Sequence, residues 1–325
     1  MAALVGGPVL VEMNCMASDC PVCLSARTGT FFREIDGFNY YACSSCESLF
    51  IEPSVLTAMD NGESPRSYDH EYWDEEVESA RQRSVADGLV RAGEAILYTR
   101  RDVHRFLDVG AGPGFLLDQL AHTFPARPDT FHAVELFPPK EHSQHPNYVV
   151  GDVGSLPGKF DAGVCIEVIE HLTPRMLGGL IKGLSKVSEP NSAWLFNTGM
   201  PPYVRNEDPG YLDPRHRGHV ISYGIKGLRK MFGQHGFRLL DLPGKSFAFL
   251  AEFEPTHELE TFTTDRFYGP QPFNKKLLEE AGLLYLAAFE SARSYYYQYE
   301  SDQRARWAMS LNATLQAMTQ GISQY

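Results

Sequence analysis

Three observations predict an α/β fold: a mostly parallel sheet with an antiparallel closing strand, a small N-terminal module and a helical C-terminal extension. First, the run Val103–Val109 reads as a buried strand, with Asp108 near its carboxyl end. It enters a turn with glycines at 110, 112 and 114, after which Phe115-Leu-Leu-Asp-Gln-Leu-Ala reads as helix. Second, strand patterns at 131–135, 147–152, 160–166 and 192–198 alternate with helical segments, as in a parallel sheet covered on both faces. Third, Phe237–Asp241 and Ser246–Leu250 flank Pro243-Gly244 and read as an antiparallel pair that closes the sheet.

The chain has 325 residues, more than one ordinary domain, and its 43% hydrophobic content suits a sizeable core. No apolar run approaches the ~20 residues of a membrane helix, so no membrane partner is expected. The stretch Met1–Met13 lacks a basic start, which argues against a secretory signal and for a cytoplasmic location. A net charge of −12 disfavours nucleic acid, whose non-specific binding depends on Lys and Arg neutralising phosphates.

Four of the six cysteines form two pairs, Cys20-x-x-Cys23 and Cys43-x-x-Cys46, with nineteen residues between them. That spacing predicts a zinc ribbon over 19–53, with a hairpin about Asp36-Gly37. Four thiolates close a tetrahedral ion to water, so the zinc is expected to be structural. Residues 1–18, with Cys15, read as a flexible leader. Asp19–Glu52 holds only Arg27 and Arg33 against five acidic residues, so a folding clamp or ligand-binding lobe is expected there, not a nucleic-acid finger. Residues 54–100 divide into a polar linker to 67 and a helical lid from Glu71. The main domain is expected over 101–255 and the helical extension over 256–325.

The glycine turn is one residue short of G-x-G-x-x-G, and Pro113 suits a first helical position. Such a turn fits a nucleoside ligand poorer in phosphate than a dinucleotide. Glu135 closes the second strand twenty-one residues past Gly114, where a carboxylate can accept two ribose hydroxyls. Asp108-Val-Gly-Ala-Gly-Pro-Gly114 resembles motif I of the class I S-adenosylmethionine (SAM) methyltransferases, which have a Rossmann-like sheet. Glu167-Val-Ile-Glu-His171-Leu-Thr-Pro174 is similar to the motif after the fourth strand in ubiquinone-pathway and related enzymes. This resemblance implies SAM bound by Asp108, Gly110, Gly112, Gly114, Glu135 and Glu167. It also implies that Asp152 accepts from the adenine amino group and that the amide of Val153 contacts the ring. The ribbon, the phrase Cys46–Pro53 and Tyr68-Asp-His-Glu-Tyr-Trp73 resemble methyltransferases of bacterial surface and secondary-metabolite pathways. That likeness implies a small acceptor, a sugar or other metabolite, with Tyr68, Tyr72 and Trp73 as lid residues.

The acceptor belongs beyond the carboxyl ends of the fourth and fifth strands. Glu167, Glu170 and His171 follow the fourth, and the long loop Met200–His219 follows the fifth. Methylating a hydroxyl requires a base, and His171 is the first choice, with His216 and His219 also near. Together Glu167, Glu170, His171, His216 and His219 resemble the metal set of small-RNA ribose 2′-O-methyltransferases, which implies a second divalent metal as an alternative. Glu167 and Glu170 as cofactor or helix-cap groups, with His171 packed behind, is the competing reading. A SAM-binding regulator or scaffold is the non-enzymatic alternative. Leu277, Ala281, Leu284, Tyr285 and Ala288 recur at helical spacing, so the tail reads as two helices or one broken helix. It packs on its own domain, covers the acceptor or forms a homodimer.

Overall fold

The computed structural model describes residues 18–66, 77–78, 80–258 and 263–322. Cys15 and the expected lid residues Tyr68, Tyr72 and Trp73 lie outside them. The chain forms, in order, β1 (Gly29–Ile35), β2 (Phe38–Cys43), β3 (Leu49–Ile51), α1 (Pro53–Asp60) and α2 (Leu89–Tyr98). There follow β4 (Phe106–Val109), α3 (Phe115–Thr123), β5 (Phe131–Glu135), β6 (Tyr148–Val150), β7 (Phe160–Ile166), α4 (Pro174–Val187) and β8 (Ser188–Asn197). The remainder is α5 (Pro201–Asn206), β9 (Ile221–Ser222), α6 (Ile225–Gly233), β10 (Phe237–Asp241), β11 (Ala248–Phe253), α7 (Thr264–Tyr268), α8 (Pro272–Glu280) and α9 (Leu284–Ile322).

Seven strands form the main sheet in the order β10-β11-β8-β7-β4-β5-β6. The five from β8 to β6 run parallel, and β11 is antiparallel to both β8 and β10. Strands buried on both faces read as near-continuous apolar runs, which is why Phe106–Val109 and Phe160–Ile166, Asp108 and Asp161 apart, are hydrophobic without alternation. The expected α/β class, parallel sheet and antiparallel closure are all present. The strand order turns at β4 and β7, so the crevice between their carboxyl ends is where a ligand fits.

The cysteine module does not stand apart. β1, β2 and β3 form an antiparallel sheet whose fourth member is β9, from the chain between β8 and α6. Asp36 and Gly37, both at positive φ, make the β1–β2 turn. Cys20 Sγ lies 3.6 Å from Cys46 Sγ, and Cys23 Sγ 3.7 Å from Cys43 Sγ. A tetrahedron of thiolates around zinc has edges of about 3.8 Å, so the four buried sulfurs are compatible with that ion.

Two expectations change. Residues 54–60, read as linker, are helical: Pro53 takes a first-turn position, and Leu56 and Met59 are buried. The tail is two helices, as expected, but the break falls at Gly282, φ +64°, within the stretch 277–288 that reads as one helix, and α9 then runs unbroken for 39 residues. No glycine or proline interrupts it before Gly321. Among the described residues no helix is long and apolar enough to cross a membrane.

The seam between ribbon and sheet tolerates no added atom. A Cβ on Gly224 would lie 2.0 Å from the Cys46 carbonyl oxygen, whereas one on Gly233 meets nothing within 4 Å. Gly224→Ala is expected to lower unfolding free energy by about 1–3 kcal/mol, the range for overpacking. Gly233→Ala should leave it unchanged, and urea denaturation of both variants checks the difference.

Candidate active site

The turn after β4 brings backbone to the crevice because its glycines adopt conformations closed to other residues. Gly110 and Gly114 have φ of +73° and +85°, and a Cβ on Gly110 would lie 2.5 Å from Val168 Cγ2. Gly110, Gly112, Asp108, Glu167, His171 and His219 border one cavity of about 760 Å³. Glu135, Asp152 and Val153 lie at the ends of β5 and β6, outside that lining. Glu135 accepts from the amides of Gly112 and Phe137, at 2.8 Å each, which ties the second strand to the glycine turn. Asp152 accepts from Gly154 N at 2.8 Å and caps the short turn Val153–Ser155.

Two buried carboxyl groups, Asp108 and Glu170, and the half-buried Glu167 stand at this end of the sheet. Burial, helped by nearby Glu135, raises the Asp108 carboxyl to about 7. Glu167 has φ +52° and accepts from Asn197 Nδ2 at 2.7 Å and Tyr211 OH at 3.1 Å. Burial and the neighbouring Glu170 push it well above the usual carboxylate range. Glu170 is fully buried and raised by that burial; its Oε2 accepts from Thr198 Oγ1 at 2.9 Å. Its Oε1 has no hydrogen-bond partner among the described residues.

Two imidazoles face that oxygen, His219 Nε2 at 3.9 Å and His171 Nε2 at 4.0 Å. Each ring sets its Nδ1 against a backbone carbonyl, His219 against Tyr211 O at 2.7 Å and His171 against Gly218 O at 3.2 Å. A carbonyl only accepts, so Nδ1 carries the hydrogen and, in the neutral ring, Nε2 carries the lone pair. Burial, and secondarily His171, holds His219 well below the usual histidine range, so it is neutral. His216 does not join them. Its side chain is 78% exposed and pairs with Asp213 on the surface.

The ribbon fixes this arrangement. Tyr40 OH donates to the His219 carbonyl at 2.8 Å, and Ile51 N donates to Val220 O at 3.0 Å. Val220 N in turn donates to Glu170 O at 2.9 Å. The wall also contains Tyr203 of α5 and Tyr211, both within the expected acceptor loop Met200–His219, and three residues that no motif signalled: Arg91 on α2, Phe247 before β11 and Tyr295 on α9. The Arg91 guanidinium lies 5.0 Å from the Phe247 ring centre and donates to Asn197 Oδ1 at 3.1 Å. A π-type turn at Ser84–Gly88 leads into α2 and also borders the cavity.

The raised carboxyl groups have a measurable consequence. The folded state holds these protons more tightly than the unfolded chain, so stability in the absence of ligand falls as pH rises through the interval between the two pKa values. For Asp108 that interval runs from 3.8 to about 7. Asp108→Asn is expected to flatten this decline, as measured by urea midpoints across the interval.

A family model described as a methyltransferase domain matches residues 77–242. No curated protein matches the chain. Among solved structures, the SAM-bound amino pentose methyltransferase of Micromonospora echinaspora is similar at 18% identity and a TM-score of 0.40, over 55% of this chain and 95% of its own. A SAM-dependent methyltransferase of Thermotoga maritima is 11% identical at 0.40, over 57% and 99%. The magnesium protoporphyrin IX methyltransferase of Synechocystis is 15% identical at 0.32, over 56% and 80%. These three likenesses carry no argument about the acceptor. The matched segment is just over half of the chain and runs from residue 77, ahead of the π-type turn, through β10, with the glycine turn, the Glu167–His171 phrase and His219 all inside it. The chain therefore belongs to the methyltransferase-domain family and is a SAM-dependent methyltransferase.

Proposed function

We propose that the protein transfers the SAM methyl group to an oxygen of a small acceptor, a sugar or other metabolite hydroxyl, held in the cavity between the glycine turn and the loop after β8. One observation carries this reading: the glycine turn and the His171–His219 pair border the same cavity. Its size, about 760 Å³, lies within the usual range for small-molecule sites. SAM supplies an activated methyl, so the protein's tasks are to align the acceptor oxygen in line with it and to remove a proton. Gly110, Gly112, Gly114 and Asp108 hold the cofactor, Glu135 its ribose, Asp152 and the Val153 amide its adenine, and Glu167 its amino-acid end. His171 takes the acceptor proton through Nε2, and His219, neutral beside it, adds no opposing charge. The net charge of −12 supports a small acceptor over nucleic acid. The four ribbon thiolates hold a structural zinc, and the reduced cysteines fit a cytoplasmic setting. The C-terminal helix offers a surface to a second copy of the chain.

Glu170 Oε1, which has no hydrogen-bond partner among the described residues, favours a second reading, metal-dependent methylation of an RNA ribose. Glu170, His171 and His219 have ligand atoms within 4.8 Å of one another. One carboxylate and two imidazoles suit iron, cobalt or zinc, and a cation there would lower the pKa of an acceptor hydroxyl. Glu167, occupied by Asn197 and Tyr211, and the surface residue His216 drop out of that set.

A radiolabelled-methyl screen over sugars, small metabolites, RNA and protein separates the two. Label is expected in a small molecule, at a rate that EDTA leaves unchanged and His171→Ala lowers by about 10²–10⁴, the usual worth of a general base. Label in RNA, lost with EDTA or with Glu170→Gln, would establish the second reading instead.

A further inference from the structure

The carboxyl-terminal helix has two unlike halves. Its first half packs on the body: Ala288 and Ala292 are buried, and Phe289 and Tyr296 stand edge-on to Phe267 of α7. Among the described residues its stretch from 301 to 314 covers nothing, since every residue there is exposed. Large apolar side chains lie along it nonetheless, with Trp307 67% and Leu311 44% exposed. Isolated surface hydrophobics are ordinary, but a stripe of them along a helix that leaves the body is not.

The stripe follows a seven-residue repeat. Tyr297, Glu300, Arg304, Trp307 and Leu311 are separated by alternate steps of three and four, which places them on one face. Reversed end for end about Asp302, the sequence on that face complements itself. Glu300 meets Arg304, Tyr297 meets Trp307, and Arg293 meets Leu311. This pairing puts Glu300 and Arg304 opposite each other and the two large aromatics together, while Arg293 keeps its counter-charge, Glu290, within its own helix. Glu300 and Arg304 approach only to 3.7 Å within their own helix, and Arg304 is 82% exposed, so its guanidinium can reach a second carboxylate.

We propose that the partner of this surface is a second copy of the chain, with the two α9 helices antiparallel about a twofold axis at Asp302. The contact is isologous, so the same few residues serve both sides and the assembly closes at two. Glu300 pairs with the partner's Arg304 and Arg304 with the partner's Glu300, flanking two layers in which Tyr297 packs on the partner's Trp307. The aliphatic stem of Arg293 lies under the partner's Leu311. Each free half-helix then runs along the part of the other α9 that packs on its own body, where Tyr268 is 53% exposed and its hydroxyl lies 3.0 Å from that of Tyr297. Because Tyr295 of the same segment borders the active-site cavity, each copy braces the wall of the other's site.

Sedimentation of the full-length protein at micromolar concentration tests this without knowledge of the acceptor. The wild type is expected to sediment as a dimer. Glu300→Arg and Arg304→Glu should each be monomeric, since each sets like charges face to face twice. Their equimolar mixture and the double variant Glu300→Arg/Arg304→Glu should both recover the dimer. Trp307→Ala should weaken it at least tenfold, while Met309→Ser, on the opposite face, should not. Arg304, Trp307 and Met309 are exposed and Glu300 is half-buried, so an unchanged circular dichroism spectrum identifies variants that are folded. A monomeric wild type would overturn the proposal. So would a dimer that withstands both single charge reversals and Trp307→Ala.

Discussion

Burying carboxyl groups where the parallel strands end is the constraint on which the rest of this molecule depends. Asp108 is 5% exposed and Glu170 not at all, and charges so placed are costly unless hydrogen bonds or protons offset them. The chain answers with donors from separate elements: Asn197 from the end of β8, Thr198 just beyond it, and Tyr211 from the long loop. Those donors fix the loop's course. The loop ends by delivering His219, and from Val220 onward it joins the ribbon's sheet. Sheet end, loop and ribbon are thus one hydrogen-bonded body, and the four cysteines are linked to the site through Tyr40 and β3 rather than through any contact with a substrate.

The cavity has two sides of different origin. The side proposed for the cofactor is backbone: a glycine turn in left-handed conformations, closed against Val168. The side proposed for the acceptor is side chains from the loop, from α2 and from α9. A buried pair of Lys245, between β10 and β11, with Glu94 joins that connection to α2, and Arg91 donates to the same carboxylate at 3.0 Å. Arg91 reaches Asn197, and Asn197 reaches Glu167. A continuous polar chain therefore runs from the C-terminal part of the fold to the proposed cofactor-binding carboxyl group. A pair such as Lys245–Glu94 is a weak source of stability but a strong penalty when one partner is lost, so it fixes α2 relative to β11.

The sequence was readable where one element carries its own pattern. β5 and β7 have the bounds that their apolar runs predict, and the glycine turn is recognisable because its chemistry is local. It was not readable where partners meet from afar. β9 is two residues long and pairs with a strand more than 160 residues earlier, so no periodicity marks it. Of the two histidines in His216-Arg-Gly-His219, the sequence makes both candidates. Only the Tyr40 and Tyr211 bonds turn one inward and leave the other on the surface. Helix α1 was hidden by polar neighbours, with only Leu56 and Met59 to bury. Tyr295 gave no signal, because a tyrosine in a helical tail resembles any packing residue until α9 folds against α2.

Calorimetric titration of the whole protein with S-adenosylhomocysteine, and separately with NAD, tests the central claim most directly. The account predicts one tight site per chain for S-adenosylhomocysteine, weakened at least tenfold by Glu135→Ala, and no site for NAD. Failure of the wild type to bind S-adenosylhomocysteine, or binding of NAD in its place, would contradict it.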